Sequence, residues 1–350
     1  MSEFKIGRRS VGGNHPAFIV AEVGINHQGD VNLAKQLIEI AALAGADAVK
    51  FQKRTIERML AKEGLNMPYE HGNSFGPTYG LHRQALELSD DAYRELKLYA
   101  EKKGPIFFAS AWDEESADFL ESLEVPAFKI PSADLTNLPL LAHIARKKKP
   151  VLLSTGMSSL KEVETAYSVI RQHNAEIAIM QCTSTYPTDF SDVHLRVLKT
   201  YQERFPDCVV GYSGHELGIA IPVAAVAFGA KIIERHFTID RTMKGGDHAA
   251  SLEPIGLQKL VRDIRNTEMA FGTGVKEIRP GELSIKRKLA KSIVSTQNIK
   301  KGDILRREML TTKAPGTGIP PFRLQEVIGK RVMRDIPEDS VITEDTIEWT

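Results

Sequence analysis

Eight short β-branched or apolar runs, each separated from the next by a longer segment of helical period, constrain this chain more than any other feature. They occupy residues 17–23, 46–51, 106–110, 127–130, 151–154, 178–182, 209–212 and 231–235. Apolar runs that alternate with helical segments are the pattern of a parallel sheet, because parallel neighbours need a crossover of a dozen residues or more. Asp30 is placed to cap one such helix at residues 31–44, while Ser89 opens and Gly104 closes another at 90–103. No strand is followed by the G-x-G-x-x-G turn of an open dinucleotide-binding sheet. The expected fold is therefore α/β, a closed (β/α)8 TIM barrel.

A barrel of roughly 250 residues leaves much of a 350-residue chain over. The strand–helix alternation stops near residues 272–274, so the expected organisation is a catalytic barrel at 1–275, a charged linker at 276–290 and a small β-rich module at 291–350. Within that module residues 299–310 resemble residues 336–347 in the placing of apolar positions around a central turn, an internal pseudo-repeat. One barrel connection is too long to be passive: residues 53–88, after the second strand, carry Pro68, Gly72, Gly76, Pro77 and Gly80 among aromatics and read as a lid over the barrel mouth.

Lys and Arg total 46 against 45 Asp and Glu, a net charge of +1 that argues against a nucleic-acid groove. The first eleven residues lack the apolar stretch of a signal peptide, and no run approaches the ~20 residues of a membrane span. A cytoplasmic protein with no membrane or nucleic-acid partner is expected. Cys182 and Cys208 lack metal-finger or redox spacing and read as structural thiols.

In a β/α barrel the side chains at the C-terminal ends of the strands converge on one mouth. All eight ends here are polar: Glu22; Lys50 with Gln52; Ser110; Lys129 with Ser132; Ser154 with Thr155; Thr183 with Tyr186; Ser213 with His215; and Glu234 with His236. His215 and His236 follow adjacent strands about 4.8 Å apart and make a credible metal pair, leaving several coordination positions open. Imidazole suits several divalent ions, so the residues constrain the metal only weakly. Lys50 and Lys129 end otherwise apolar strands. Beside Ser132, Ser154 and Ser213 they form a cradle for a small phosphate and carboxylate, or else they are ion-paired to Glu22, Asp134 or Glu234. A desolvated barrel lysine is also a candidate Schiff-base nucleophile. Asp247 and His248 follow the last strand, where barrels commonly contact substrate.

The segments Ala21-Glu-Val-Gly-Ile-Asn-His-Gln-Gly29, Val49-Lys-Phe-Gln52, Phe128-Lys-Ile-Pro-Ser-Ala-Asp134, Leu153-Ser-Thr-Gly-Met157, Gln181-Cys-Thr-Ser-Thr-Tyr-Pro187, Gly211-Tyr-Ser-Gly-His215 and Glu234-Arg-His-Phe237 together resemble the sialic acid synthase family. The last 60 residues are similar to that family's antifreeze-like (SAF) module. The resemblance implies a transferase that condenses phosphoenolpyruvate with an N-acylated amino sugar and releases phosphate by C–O cleavage. The first expectation is an N-acetylneuraminate synthase using N-acetylmannosamine. A 9-phosphate synthase using N-acetylmannosamine 6-phosphate, or a legionaminate-type synthase, is the alternative. On this resemblance Lys50, Ser110, Lys129, Ser132, Ser154 and Ser213 bind phosphoenolpyruvate. His215 and His236 hold a divalent metal, manganese first, with cobalt, magnesium or zinc as alternatives. Glu22 is the proton-transfer group, and Gln52, Asp134, Tyr186 and Asp247 meet the sugar. It also implies a domain-swapped homodimer with each SAF module over the partner's barrel mouth.

Three positions depart from the family pattern: Asp134 stands for Glu, Ser184 for Asn, and Ala314 for the Arg that reaches the sugar across the dimer. The loop from Pro68 to Arg83 is closer to the animal-type 9-phosphate synthases, and Arg83 or Lys53 is a candidate phosphate ligand. A lysine Schiff-base aldolase and a non-catalytic sugar-binding or ice-binding protein are the competing functional classes.

Overall fold

The computed structural model describes residues 2–174 and 176–349. The chain divides into two compact units, Met1–Phe271 and Gly272–Thr350. The first opens with an antiparallel hairpin, β1 (Glu3–Ile6) and β2 (Arg9–Gly12). The sequence reading missed this hairpin: each strand is only four residues long, so Phe4, Ile6 and Val11 give too few alternations to register. All three are nonetheless buried with the barrel core.

Eight parallel strands follow: β3 (Phe18–Gly24), β4 (Ala48–Lys53), β5 (Ile106–Ala111), β6 (Phe128–Ile130), β7 (Val151–Ser154), β8 (Ile177–Cys182), β9 (Val209–Gly214) and β10 (Ile232–His236). β10 pairs with β3 and closes the barrel. The helices form where their termini are chemically specified. Asp30 accepts the amides of Asn32 and Leu33 ahead of helix Val31–Ala44, and Ser89 accepts that of Ala92 ahead of helix Asp90–Lys103. Ser159 and Glu162 complete a capping box for helix Leu160–Arg171. Their apolar faces bury Leu37, Ile38, Leu96 and Ile170 against the strands in one continuous core.

The long connection after β4 is folded. It contains helices Ile56–Met59, Lys62–Asn66 and Tyr79–Ala85, and a short antiparallel bridge between Pro68 and Thr78. Tyr69, Phe75, Tyr79 and His82 cluster within it at ring distances of 4.6–6.2 Å. It meets the loop beyond β10, where Gly245 N–H donates to Asn73 Oδ1 at 3.3 Å and the Lys244 ammonium lies 4.8 Å over the Phe75 ring.

In the second unit, β11 (Ser292–Ser295) and β12 (Leu310–Lys313) pair antiparallel. Ile293, Ile299, Leu305, Ile319, Val332 and Ile342 belong to a separate small core. The pseudo-repeat has a structural counterpart, since Ile299 and Ile336 exchange both backbone hydrogen bonds at 2.8 Å. The 3-10 turns Arg307–Met309 and Glu344–Thr346 lie at matching offsets from them. Where a linker was expected there is a 3-10 turn, Pro280–Glu282, and a helix, Leu283–Leu289. Among the described residues no helix is long and apolar enough to cross a membrane.

Candidate active site

Register decides which strand ends meet. His236 lies opposite Glu22, Glu22 opposite Lys50, Gln52 opposite Ser110, Ser110 opposite Lys129, and Glu234 opposite Ser213. Because side chains alternate along a strand, Glu234 and His236 share the inner face while Arg235 points away. Of the thirteen residues to which the family resemblance gives a role, twelve line one cavity of about 380 Å³ at this mouth. Asp134 does not line it. Its Oδ1 accepts from Asn137 Nδ2 at 3.1 Å, and burial, with Asp113 nearby, raises its carboxyl to about 6.

Two lysines and two carboxylates form the floor. Lys50 Nζ lies 2.8 Å from Glu22 Oε2, 3.0 Å from Ser110 Oγ and 3.6 Å from Glu234 Oε1, and Lys129 Nζ lies 3.3 Å from that same Glu234 oxygen. The ion-paired alternative for the lysines is therefore realised with Glu22 and Glu234, and Asp134 takes no part. Burial raises the Glu22 carboxyl toward neutrality against the pull of Lys50. Burial would raise Glu234 as well, but Lys129 and Lys50 outweigh it and hold Glu234 well below the usual carboxylate range. The buried hydroxyl of Ser154 has no partner among the described residues, and neither does Glu234 Oε2. Ser132 Oγ accepts the Gly156 amide at 3.0 Å, and a Cβ at Gly156 would collide with the hydroxyls of Ser132 and Ser184.

The imidazoles of His215 and His236 lie 5.4 Å apart between ring centroids, and the Tyr186 ring stacks 4.0 Å from His215. His215 Nδ1 sits 2.8 Å from the Thr183 carbonyl. With Nδ1 on that carbonyl, Nε2 is the nitrogen left for a ligand; burial would lower this ring, but Cys182 outweighs it and raises its pKa, so a cation would have to displace a proton here. His236 Nδ1 is buried without a hydrogen bond, 3.5 Å from Asp247 Oδ2, and burial lowers its pKa to about 3, so the ring is neutral as a ligand must be. The residues thus fit a divalent cation. Among the described residues no three His, Cys, Asp or Glu side chains gather into a metal cluster, and these two rings are the candidate donors. Gly24, at φ +58°, marks a bulge in β3, and a Cβ there would stand 3.1 Å from the His236 ring and 3.0 Å from Asp247.

Sequence reasoning passed over three residues of this cavity. Arg54, Trp112 and Cys182 line it. Strand parity was the available signal. Positions 50, 52 and 54 share a face, as do 110 and 112, and β4 runs to Lys53, two residues beyond its expected end. Cys182, set aside as structural, sits with its Sγ 3.6 Å from Ser132 Oγ. Burial would raise its thiol, but His215, Ser132 and Lys129 outweigh this and lower it to about 7.

A larger cavity of about 850 Å³ opens at the opposite end of the barrel, beneath the hairpin. It is bounded by Phe205, Val209, Val226 and Met269, and its Arg265 and Lys231 already have partners, Asp47 and Glu268 for the first and the His15 carbonyl for the second. The converging polar groups, not the volume, make the mouth the candidate active site.

The family model described as the NeuB family matches residues 37–276, most of the barrel, and the SAF domain model matches residues 290–348. The chain belongs to the NeuB family. Its relatives include the N-acetylneuraminate-9-phosphate synthase of Homo sapiens, 46% identical over 97% of this chain and 95% of the relative. The N,N'-diacetyllegionaminic acid synthase of Campylobacter jejuni is 42% identical over 93% of this chain and 98% of the relative. Among solved structures, the N-acetylneuraminic acid (sialic acid) synthetase of Leptospira borgpetersenii in complex with citrate superposes with a TM-score of 0.72 at 35% identity, covering 81% of this chain and 95% of that one. The TIM barrel with a C-terminal SAF region of antiparallel strands is thus the architecture of a NeuB-family protein.

Proposed function

We propose that this NeuB-family chain is a phosphoenolpyruvate-dependent sialic-acid-type synthase that joins the enol to the open-chain aldehyde of an N-acylated amino sugar of the N-acetylmannosamine type. The observation that carries this reading is the adjacency, in one cavity, of a buried lysine pair and a histidine pair. Lys50 and Lys129, with the partnerless Ser154 hydroxyl and those of Ser110, Ser132 and Ser213, bind the phosphate and carboxylate of phosphoenolpyruvate. His215 and His236 would hold a divalent cation, manganese in the first instance, whose chemistry when bound is to polarise the sugar's carbonyl. Gln52, Tyr186 and Asp247 orient the sugar chain; Asp134, turned to Asn137 outside the cavity, does not share that role.

The enol's methylene carbon forms the new C–C bond to the aldehyde carbon as the C=O pair moves to oxygen. Water then adds at the enol's C2, and phosphate leaves with cleavage of the C2–O bond, giving a 2-keto acid. Glu22 is raised toward neutrality and touches both Lys50 and Gln52, so it is placed to exchange the protons of the new hydroxyl and the attacking water. The relatives' names bear on the sugar: three carbons added ahead of six turn a 6-phosphate into a 9-phosphate. We also propose that the enzyme works as a cytoplasmic, domain-swapped homodimer. Val275, Ile278, Leu283, Ile285 and Leu289, each 49–64% exposed in the single chain, support an apolar surface that a partner covers.

The test is phosphate release from phosphoenolpyruvate and Mn²⁺ with N-acetylmannosamine or its 6-phosphate. Turnover is expected with at least one sugar, and chelation, His215→Ala or His236→Ala should lower it at least about a hundredfold. Undiminished activity in fully demetallated protein, or a borohydride-trapped adduct on Lys50 or Lys129, overturns the reading.

A further inference from the structure

Beyond β3 from the histidine pair, the same cavity is lined by two guanidinium groups that the condensation chemistry does not use. Arg54 follows β4 directly and is 3% exposed. Its guanidinium stacks on Trp112 at 4.5 Å and donates to Gln52 Oε1 through Nη2, its Nη1 lies 3.9 Å from Glu87 Oε2, and its buried Nε has no partner among the described residues. Arg83 comes from the lid helix Tyr79–Ala85 and gives both Nε and Nη2 to the single Tyr79 hydroxyl, at 2.9 and 2.7 Å. No ion pair to Arg83 occurs among the described residues, whereas Lys53 is paired with Glu87 and Asp90 at 3.3 Å. Lys53 faces the Tyr93 and Phe119 rings and does not line this cavity, so of the two phosphate ligands the sequence suggested only Arg83 is in place.

Two guanidiniums close enough to repel one another, one with an orphaned buried donor and one with no counter-ion, form a site whose missing component is an anion. Planar forked donors suit the oxygens of a phosphate monoester. Asp247 stands between the two regions: it is 3.5 Å from His236 Nδ1 and also acts on Arg54. An open-chain hexose that presents its aldehyde to the histidines carries its C6 oxygen at the other end of its carbon chain.

We infer that Arg54 and Arg83 form a phosphate subsite that selects an amino sugar esterified at its terminal hydroxyl, with the lid supplying half of the subsite. This rests on the proposed synthase reading, but its test can fail separately.

Trp112 serves as the reporter, because the chain has two tryptophans and Trp349→Phe leaves it alone. N-acetylmannosamine 6-phosphate should perturb Trp112 emission with half-saturation at least about tenfold below that of N-acetylmannosamine or of inorganic phosphate. Arg83→Ala and Arg83→Gln should remove that preference, and Arg83→Lys should restore part of it. In the phosphate-release assay, the ratio of kcat/KM for the phosphorylated over the free sugar should fall at least about tenfold in Arg83→Ala and Arg54→Met. Equal use of both sugars, or an emission preference that survives Arg83→Ala, overturns the subsite while leaving the synthase standing. Selective binding of the 6-phosphate with no phosphate release from any sugar does the opposite, removing the synthase and keeping the subsite.

Discussion

At the level of single residues, the site combines groups that are costly to bury with groups left incomplete. Lys50, Lys129, Glu22 and Glu234 pair with one another, so each of these buried groups has a partner of opposite charge type. Ser154 differs: its buried hydroxyl has no partner, so its removal forfeits no internal hydrogen bond. Ser154→Ala should therefore leave the urea midpoint within about 0.5 kcal/mol of the parent's stability. The same change should raise KM for phosphoenolpyruvate by roughly tenfold, the worth of one hydrogen bond to a charged group. A stability loss with unchanged KM would mean that the hydroxyl only fills space.

At the level of elements, the two histidines depend on a buried clamp behind them. Arg235, 1% exposed, donates to Glu216 Oε1 and to the Gly218 carbonyl, each at 2.8 Å, and Tyr212 donates to Glu216 Oε2 at 2.6 Å. The clamp ties β10, which ends at His236, to the loop after β9 that carries His215. Breaking one side of a buried pair strands the other charge, so Glu216→Ala should cost about 3–5 kcal/mol in denaturant unfolding. Its effect on turnover should exceed that of any surface substitution, although Glu216 does not line the cavity. The lid is likewise an element with its own aromatic core, which explains why residues 53–88, read as an anomalous loop, contain three short helices.

For the molecule as a whole, acid should be the weak direction. Burial lowers His27 from its ordinary 6.5 to about 3 and His82 to about 4. His27 accepts the Gly29 amide at Nδ1 and packs beside Phe51. Since the folded values lie below the unfolded ones, the unfolded chain binds more protons in this range. The stability these rings contribute is present above pH 6.5 and is lost as pH falls toward 3. Asp134 opposes them, because its pKa is raised from 3.8 to about 6 and its contribution is lost as pH rises through that window. Urea midpoints should fall between pH 6.5 and 4, and His27→Gln should flatten that slope. An unchanged slope would assign the acid lability elsewhere.

The sequence by itself determined the barrel, the order of its strands and the identity of nearly every side chain at its mouth. Helix caps, apolar alternation and polar strand ends are local codes, legible without neighbours, and the family motifs carry the rest. Tertiary structure alone decided which of those polar groups pair. Register places Glu22 beside Lys50 and brings Glu234 within reach of both lysines, while Asp134 turns to Asn137. It also decided that Arg54, and not Lys53, faces the cavity, because β4 stays extended two residues past its expected end and so keeps Arg54 on the face of Lys50 and Gln52. The hairpin at residues 3–12 was hidden for the opposite reason: four-residue strands carry almost no periodic signal, and Phe4, Ile6 and Val11 are held by the core they complete.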